Sequence, residues 1–325
     1  MSLNLANISV SYPDTDAVKD VTLEVKSGER FAIMGPSGSG KSTLLRAIAG
    51  LAVMQSGSVH INGADMTGVP AHQRPVGLMF QDYALFPHMA VLENVAYGLR
   101  MNGVPKTERN ERAAKLLELV GLAGFAERRT TTLSGGEQQR VALARTLAPS
   151  PAVVLLDEPL GSLDISLKES LLAETRSILE AVGATSVYVT HDRAEAFAFC
   201  DRMAILDKGE VVRVGTPDEI WRDPQSAFVA RSIGQSNLVP HSMIDDGGAG
   251  LVFVPLEAVT MSPSGRFSAP VTTSRFEDGS NIVAVAFGGE GSSLEMRAPL
   301  AATPGVEVRF DIEVDTLIVV SANEV

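Results

Sequence analysis

The sequence predicts an α/β fold, a mostly parallel sheet covered by helices, followed by a small all-β domain. Strand-like and helix-like runs alternate up to about residue 236, a pattern typical of parallel sheets. A glycine-rich loop at 35–42 joins one such strand to the next helix. After Asn237 the composition changes to short β-type runs between Gly, Pro and Ser clusters. The chain of 325 residues has room for two domains, predicted here as 1–236 and 237–325.

The first domain is predicted to contain strands and helices in alternation. Apolar runs and helical spacing place the strands at 21–25, 30–34, 76–80, 152–156 and 186–190, and the helices at 43–51, 106–120, 137–147, 166–182 and 193–200. Residues 207–210 have the composition of a hairpin turn between two further short strands. Thr216, Pro217 and Glu219 then start another helix as N-cap, first helical residue and capping-box partner.

The second domain is predicted to be built from short strands alone. Six β-type runs occur within its 89 residues, at 251–254, 258–261, 282–287, 294–297, 306–312 and 317–320. Short strands separated by turn residues at this spacing indicate a small barrel or a sandwich.

Composition excludes several classes of protein. The net charge of −12 argues against a general nucleic-acid binder, and −8 of it lies in residues 237–325, which hold 12 acidic residues and 4 arginines. The single cysteine, Cys200, excludes an intramolecular disulfide and a cysteine-based zinc site, and we expect it to be a buried helix residue. The N-terminus lacks the features of a secretory signal, and no apolar run approaches the roughly 20 residues of a membrane span, so we expect a soluble, cytosolic chain.

The loop Gly35-Pro36-Ser37-Gly38-Ser39-Gly40-Lys41-Ser42, followed by Thr43, has the spacing of a phosphate-binding loop. Small residues let backbone N–H groups turn inward to phosphate oxygens, and the next helix presents its positive dipole end. Lys41 can reach the β- and γ-phosphates, and the hydroxyl of Ser42 can ligate Mg²⁺. An ordinary Gly/Ser turn is the alternative, but the flanking strand and helix favour a nucleoside triphosphate.

Two acids, Asp157 and Glu158, end the apolar run 153–156. The carboxyl ends of parallel strands are where open α/β folds bind ligands. Asp157 is therefore placed to act on Mg²⁺, directly or through water, and Glu158 to act as general base for an attacking water. The alternative is a buried strand that happens to end in acids.

The segment LSGGEQQR, residues 133–140, contains Ser134 and Glu137 at capping-box spacing. Two consecutive glycines weaken a helix start, which makes sense if a ligand must approach the backbone there. Together with the phosphate loop and LLDEP, in this order, the segment resembles the signature of the ATP-binding cassette (ABC) family of ATPase subunits. The resemblance implies that Ser134, Gly135 and Gly136 contact ATP held by the phosphate loop of a second subunit.

The resemblance also assigns roles to four isolated residues. Gln81 matches the family's glutamine that senses Mg²⁺ and the attacking water, and His191 matches the switch histidine that contacts the γ-phosphate. Tyr12 occupies the position of an aromatic residue that stacks on adenine, and Asp164 matches the aspartate of the D-loop. On residues alone, Gln81 would be interpreted as a turn residue, His191 as structural and Tyr12 as an ordinary strand aromatic.

The stretch after Gln81 and the β-rich tail resemble the importer branch of the family, whose tails are OB-like (TOBE) accessory domains. This implies a head-to-tail dimer with ATP between phosphate loop and signature, bound to membrane permease subunits on the cytoplasmic face and served by an extracytoplasmic solute-binding protein. The short tail favours ferric iron, another small ion, a polyamine or thiamine over a sugar, which stays the alternative. A soluble ABC ATPase acting on nucleic acid is disfavoured, because only about 90 residues, without coiled-coil heptads, separate Lys41 from Ser134.

Overall fold

The computed structural model of the protein describes residues 2–161, 165–245, 248–277, 279–289 and 292–320. The chain folds into two compact units, Met1–Pro217 and Asp218–Val325. The division between the units falls before the predicted composition change at Asn237. Two short helices precede Asn237, and both belong to the second unit except for Pro217. The functional boundary at 236 stays a prediction.

The first unit contains two sheets and a set of helices. Its strands are β1 (Leu3–Tyr12), β2 (Thr15–Val25), β3 (Arg30–Met34), β4 (Ser56–Ile61), β5 (Ala64–Asp65), β6 (Val76–Met79), β7 (Val153–Asp157), β8 (Thr185–Thr190), β9 (Arg202–Asp207) and β10 (Glu210–Gly215). Its helices are α1 (Lys41–Ile48), α2 (Val91–Val95), α3 (Tyr97–Met101), α4 (Lys106–Leu119), α5 (Gly135–Leu147), α6 (Ile165–Ala181) and α7 (Arg193–Phe199).

The larger sheet has the strand order β10-β9-β3-β8-β7-β6, and all its strands except β10 are parallel. Its central strands are buried along their whole length, as strands covered on both faces are, and this is why their apolar runs were recognisable in the sequence. Parallel order brings the carboxyl ends of β3, β7 and β8 to one edge, so the phosphate loop, the acid pair and His191 meet there.

The smaller sheet, of order β2-β1-β4-β5, is antiparallel and was largely missed by the sequence analysis. Only the last five residues of β2 were predicted. The pairing of β1 with β2 shifts register at three points, and Asn7 and Asp20 have positive φ angles of 53° and 52°. These irregularities disturb the strict alternation on which strand prediction depends. The helices α2 and α3 were also missed, because five residues are too few to show a helical period.

The second unit begins one residue into α8 (Pro217–Arg222), which starts at Pro217 as predicted, and continues with α9 (Ala227–Ser232). Its strands are β11 (Leu238–Pro240), β12 (Leu251–Phe253), β13 (Val259–Met261), β14 (Phe267–Glu277), β15 (Ser280–Ala286), β16 (Ser293–Ala298), β17 (Glu307–Ile312) and β18 (Ile318–Val320). Strands β13-β16-β15-β14-β17 form a closed barrel, and β11-β12-β18 form a separate sheet. The predicted small barrel is confirmed, although β14, rich in Ser and Thr and containing Pro270, was not predicted.

In the second unit, the side-chain amide of Asn237 hydrogen-bonds to the backbone of Glu295 in the way that a neighbouring strand would. Its Nδ2 donates to Glu295 O at 2.8 Å, and Glu295 N donates to its Oδ1 at 2.8 Å. Asn237 is only 3% exposed, and its own carbonyl accepts a bond from Val254 N. One buried amide therefore ties β16 to the end of β12.

Within the described residues, no helix combines the length and apolar character that crossing a bilayer requires.

Candidate active site

The phosphate loop leaves β3 and enters α1 through Gly40, the N-cap of the helix, with a φ of 99°. A Cβ at this position would overlap the carbonyl oxygen of Ala17, so the backbone has room for glycine alone. Gly38 also has a positive φ, 82°, but open space surrounds its Cβ position. From the turn between β9 and β10, Gly209 N donates to Ser39 O at 3.1 Å and braces the loop.

Lys41 lies under the loop, and its side chain is 4% exposed. Its Nζ donates to Gly35 O at 2.9 Å and to Pro36 O at 2.8 Å. Burial lowers the pKa of Lys41, while the nearby carboxylates of Glu158 and Asp157 act in the opposite direction. The loop thus holds a desolvated ammonium group, which a phosphate group would complement.

Ser42 and Asp157 bring two oxygen ligands together. Ser42 lies in the first turn of α1, Asp157 is the last residue of β7, and the Ser42 Oγ donates to Asp157 Oδ1 at 2.8 Å. The described residues contain no cluster of three or more His, Cys, Asp or Glu side chains suited to a metal. One hydroxyl and one carboxylate nevertheless fit Mg²⁺, which completes its octahedron with waters and substrate phosphates.

Glu158 and His191 meet where β7 and β8 end. Nδ1 of His191 is 3.1 Å from Oε2 of Glu158, and the histidine side chain is 55% exposed. Glu158 has a φ of 42°, and its N–H donates to Val189 O at 3.0 Å. Left-handed backbone at a residue other than glycine is unfavourable, and such strain clusters at functional sites.

Gln81 lies next to the loop that follows Glu158. Its Nε2 is 3.0 Å from the position that a Cβ on Gly161 would take, and Gly161 N donates to Glu158 O at 3.1 Å. The structure therefore brings Gln81, Asp157, Glu158 and His191 to the carboxyl edge of the larger sheet, where the phosphate loop leaves β3. Asp164 lies outside the described residues.

Ser134 caps α5 as the sequence predicts. Its N–H donates to Glu137 Oε2 at 2.7 Å, its Oγ donates to the same oxygen at 2.9 Å, and its Oγ accepts from Glu137 N. The backbone bond from Ser134 lowers the pKa of Glu137. Ser134 and Gly135 are exposed, whereas Gly136 packs against Leu171. The hydrogen bonds described for Ser134 all lie within this turn, and none reaches residues 35–43 of the same chain.

Tyr12, the last residue of β1, is placed opposite Thr15 and is 48% exposed. An exposed aromatic face beside a hairpin can stack on a base, which is compatible with the predicted adenine contact.

Comparison with known proteins decides the family. The family model described as ABC transporter matches residues 18–161. The Fe(3+) ions import ATP-binding protein FbpC of Streptomyces coelicolor is 44% identical over 335 residues, covering 98% of this chain and 96% of that protein. The chain belongs to the ABC transporter family.

Further matches agree with this assignment. The spermidine/putrescine import ATP-binding protein PotA of Thermotoga maritima is 44% identical over 243 residues, covering 75% of this chain and 66% of that protein. A dimeric, post-hydrolysis structure of the ATP-binding cassette MJ0796 bound to ADP and Pi has a TM-score of 0.59 at 35% identity, covering 66% of this chain and 98% of that one. The protein is an ABC cassette of the importer class and an ATPase, as predicted.

A buried network behind His191 escaped the sequence analysis of this ABC cassette. Glu195 Oε2 accepts bonds from Tyr188 OH at 2.9 Å and Thr190 Oγ1 at 2.7 Å. Thr190 Oγ1 in turn accepts from Asp192 N at 2.9 Å, so the residues on both sides of His191 are fixed. Burial, followed by the charge of Glu195, raises the pKa of Tyr188, which keeps the phenol a donor. A tyrosine between two valines of a fully buried strand was the available signal, because a buried hydroxyl needs a partner.

Proposed function

We propose that this ABC ATPase energises the import of ferric iron through a membrane permease, on whose cytoplasmic face it lies. The observation that carries the proposal is coverage of the tail: the match to the S. coelicolor FbpC protein spans 98% of the chain, and that to the FbpC protein of Rhizobium etli spans 95%. The PotA match from T. maritima spans 75% and that to the FbpC protein of Streptomyces avermitilis 74%, so the two matches that extend through the tail are the ones that favour iron. A polyamine, another small ion, thiamine or a sugar is the weaker alternative.

ATP binding follows from the geometry of the phosphate loop. Backbone N–H groups of residues 35–43 and the ammonium of Lys41 surround the phosphates, aided by the dipole of α1. Tyr12 stacks on the adenine. Ser42 and Asp157, with Gln81 nearby, would hold Mg²⁺, and the ion would supply positive charge against the β- and γ-phosphates.

Hydrolysis then requires a general base for the attacking water and a hydrogen-bond donor to the γ-phosphate. Glu158, which directly follows β7, accepts the proton of the attacking water. His191 donates to the charge that develops on the γ-phosphate, and Glu158 and the network around Glu195 orient its ring. Gln81 positions the water.

A second subunit completes each site. The exposed start of α5, with Ser134, Gly135 and Gly136, offers N–H donors and a positive dipole end, yet the described bonds of Ser134 stay within its own turn. It therefore serves the γ-phosphate of a partner in a head-to-tail dimer, and the similar cassette MJ0796 is dimeric. An extracytoplasmic binding protein delivers the solute to the permease, and no nucleic acid is involved.

Uptake by cells tests the proposal. A strain lacking this gene should lose uptake of ⁵⁵Fe(III) and regain it from a plasmid carrying the wild-type gene, while a Lys41→Ala copy should fail to restore it. Uptake of labelled spermidine should be unaffected. Loss of spermidine uptake with normal iron uptake would assign the polyamine instead and overturn the iron proposal.

A further inference from the structure

The loop that follows Gln81 has an unfavourable backbone. Tyr83 and Ala84 are consecutive residues with φ angles of 60° and 46°. Left-handed conformation is unfavourable for a residue with a Cβ, so two in succession persist only when other contacts hold them.

Arg145, near the C-terminal end of α5, supplies these contacts. Its Nη1 donates to Ala84 O and its Nη2 to Tyr83 O, each at 2.6 Å. The guanidinium also lies 5.5 Å from the ring centroid of Phe86. Burial lowers the pKa of Arg145, and the charge of Asp82 opposes this shift. The planar fork of arginine matches two adjacent carbonyl oxygens, a geometry that the point charge of lysine cannot reproduce.

Both ends of this loop are fixed by other groups. Tyr83 N donates to Phe80 O at 3.0 Å, just after β6. Phe86 N donates to Oδ1 of the buried Asn94 at 2.9 Å, and Asn94 Nδ2 donates back to Phe86 O at 3.1 Å. Arg145 therefore acts on the middle of a loop whose ends are already held, two to three residues after Gln81.

We propose that Arg145 is the positioning residue of Gln81, and that it fixes the distance between the glutamine loop and the helix that begins at Ser134. A displacement of α5 moves Tyr83 and Ala84 with it, and Gln81 follows. The ATP-contacting start of α5 and the water-sensing glutamine thereby move together. The inference rests on the roles proposed above for Gln81 and Ser134.

The first test is the Arg145→Met variant of the full chain. It removes the donor fork and keeps an unbranched apolar side chain for packing. We expect the kcat of ATP hydrolysis to fall at least tenfold while the KM for ATP stays within about twofold, because residues 35–43 are untouched. Arg176→Met is the matched control: Arg176 Nη1 also donates to a backbone carbonyl, that of Ala198, at 2.6 Å, but far along the chain from this loop. Its kcat should stay within twofold of wild type.

Second-site rescue distinguishes positioning from general support of α5. Glycine adopts a left-handed backbone without strain, so Ala84→Gly in the Arg145→Met background should recover at least threefold in kcat. Failure of this rescue in a double variant that is folded by circular dichroism overturns the proposal, as does a wild-type kcat in Arg145→Met. If Arg145→Met does not fold, the same pair of measurements is made with Arg145→Lys, which keeps the charge and loses the fork.

The Gln81→Ala variant distinguishes failure of the proposed role of Gln81 from failure of the positioning role of Arg145. If Gln81→Ala hydrolyses ATP normally, the proposed role of Gln81 fails. If it loses turnover and Arg145→Met does not, the positioning role alone fails. If both the role of Gln81 and the positioning role of Arg145 are correct, adding Arg145→Met to the Gln81→Ala variant lowers kcat by less than a further twofold. The side chain that Arg145 positions is already absent from that variant.

Discussion

Nδ1 of His191 lies 3.1 Å from Oε2 of Glu158, so the side chains at the ends of two neighbouring parallel strands form one pair. The carboxylate orients the imidazole, and the imidazole limits where the carboxylate can point. The proposed base for the attacking water and the proposed hydrogen-bond donor to the γ-phosphate are thus held in a single arrangement.

Glu158→Gln should abolish most ATP turnover, by about 10²–10⁴-fold, since the amide keeps the shape of the side chain and its bond to His191 but cannot accept a proton. ATP should still bind. In the proposed mechanism the ATP-bound dimer opens only after hydrolysis, so gel filtration with ATP and Mg²⁺ should show a dimer. A monomer under these conditions, or near-normal hydrolysis, would contradict the assignment of Glu158 as base.

Mixing two inactive variants should restore activity if the sites are shared between subunits. A Ser134→Arg subunit and a Lys41→Ala subunit each lose turnover alone, but their heterodimer contains one site free of both changes. We expect part of the wild-type rate after mixing, measured against each variant at the same total concentration. An inactive mixture in which cross-linking demonstrates heterodimers would argue against independently acting composite sites.

Asn237→Ala should destabilise the second unit by about 1–3 kcal/mol, because it leaves buried N–H and C=O groups of Glu295 without partners. Trp221 is the chain's one tryptophan and belongs to this unit, so its fluorescence follows unfolding of the unit in urea. Asn281→Ala is the control, since the Asn281 amide donates a long 3.5 Å bond to Pro299 O. An unchanged urea midpoint in Asn237→Ala would refute the structural role of this amide.

Cys200 should be unreactive in the folded protein. Burial, followed by the charge of Asp201, raises the pKa of its thiol to about 12, and the residue is 7% exposed. At pH 8 the thiolate fraction is then on the order of a thousandfold below that of an ordinary cysteine. An aromatic disulfide reagent should therefore label the chain slowly in buffer and rapidly in guanidinium chloride. Rapid labelling of protein that remains folded would show that the thiol is accessible.

The site residues that the sequence predicts directly are those whose chemistry is local. The phosphate loop and the pair Asp157–Glu158 carry their meaning in consecutive residues next to an apolar strand, and parallel order then brings them together. His191 and Gln81 have no such local signal, and their assignment depended on the order of motifs in a known family.

Arg145 was not predicted, for a physical reason. Within VALARTL it has the appearance of an ordinary surface arginine of a helix. Its task arises from the left-handed backbone at Tyr83 and Ala84, more than sixty residues earlier in the chain. Tyrosine and alanine give no sequence signal for a positive φ, so neither partner could reveal the other.

The carbonyl oxygen of Ala17 meets two glycines that are far apart in the chain. It fills the space where Gly40 would carry a side chain, and it lies 3.0 Å from the Cβ position of Gly209, whose φ is 88°. A protein engineer who grafted the octapeptide 35–42 onto another scaffold would therefore transfer an incomplete part. The loop keeps its shape only together with a stretch of β2 and the hairpin turn at 207–210, so its smallest transplantable unit comprises three separate pieces of chain.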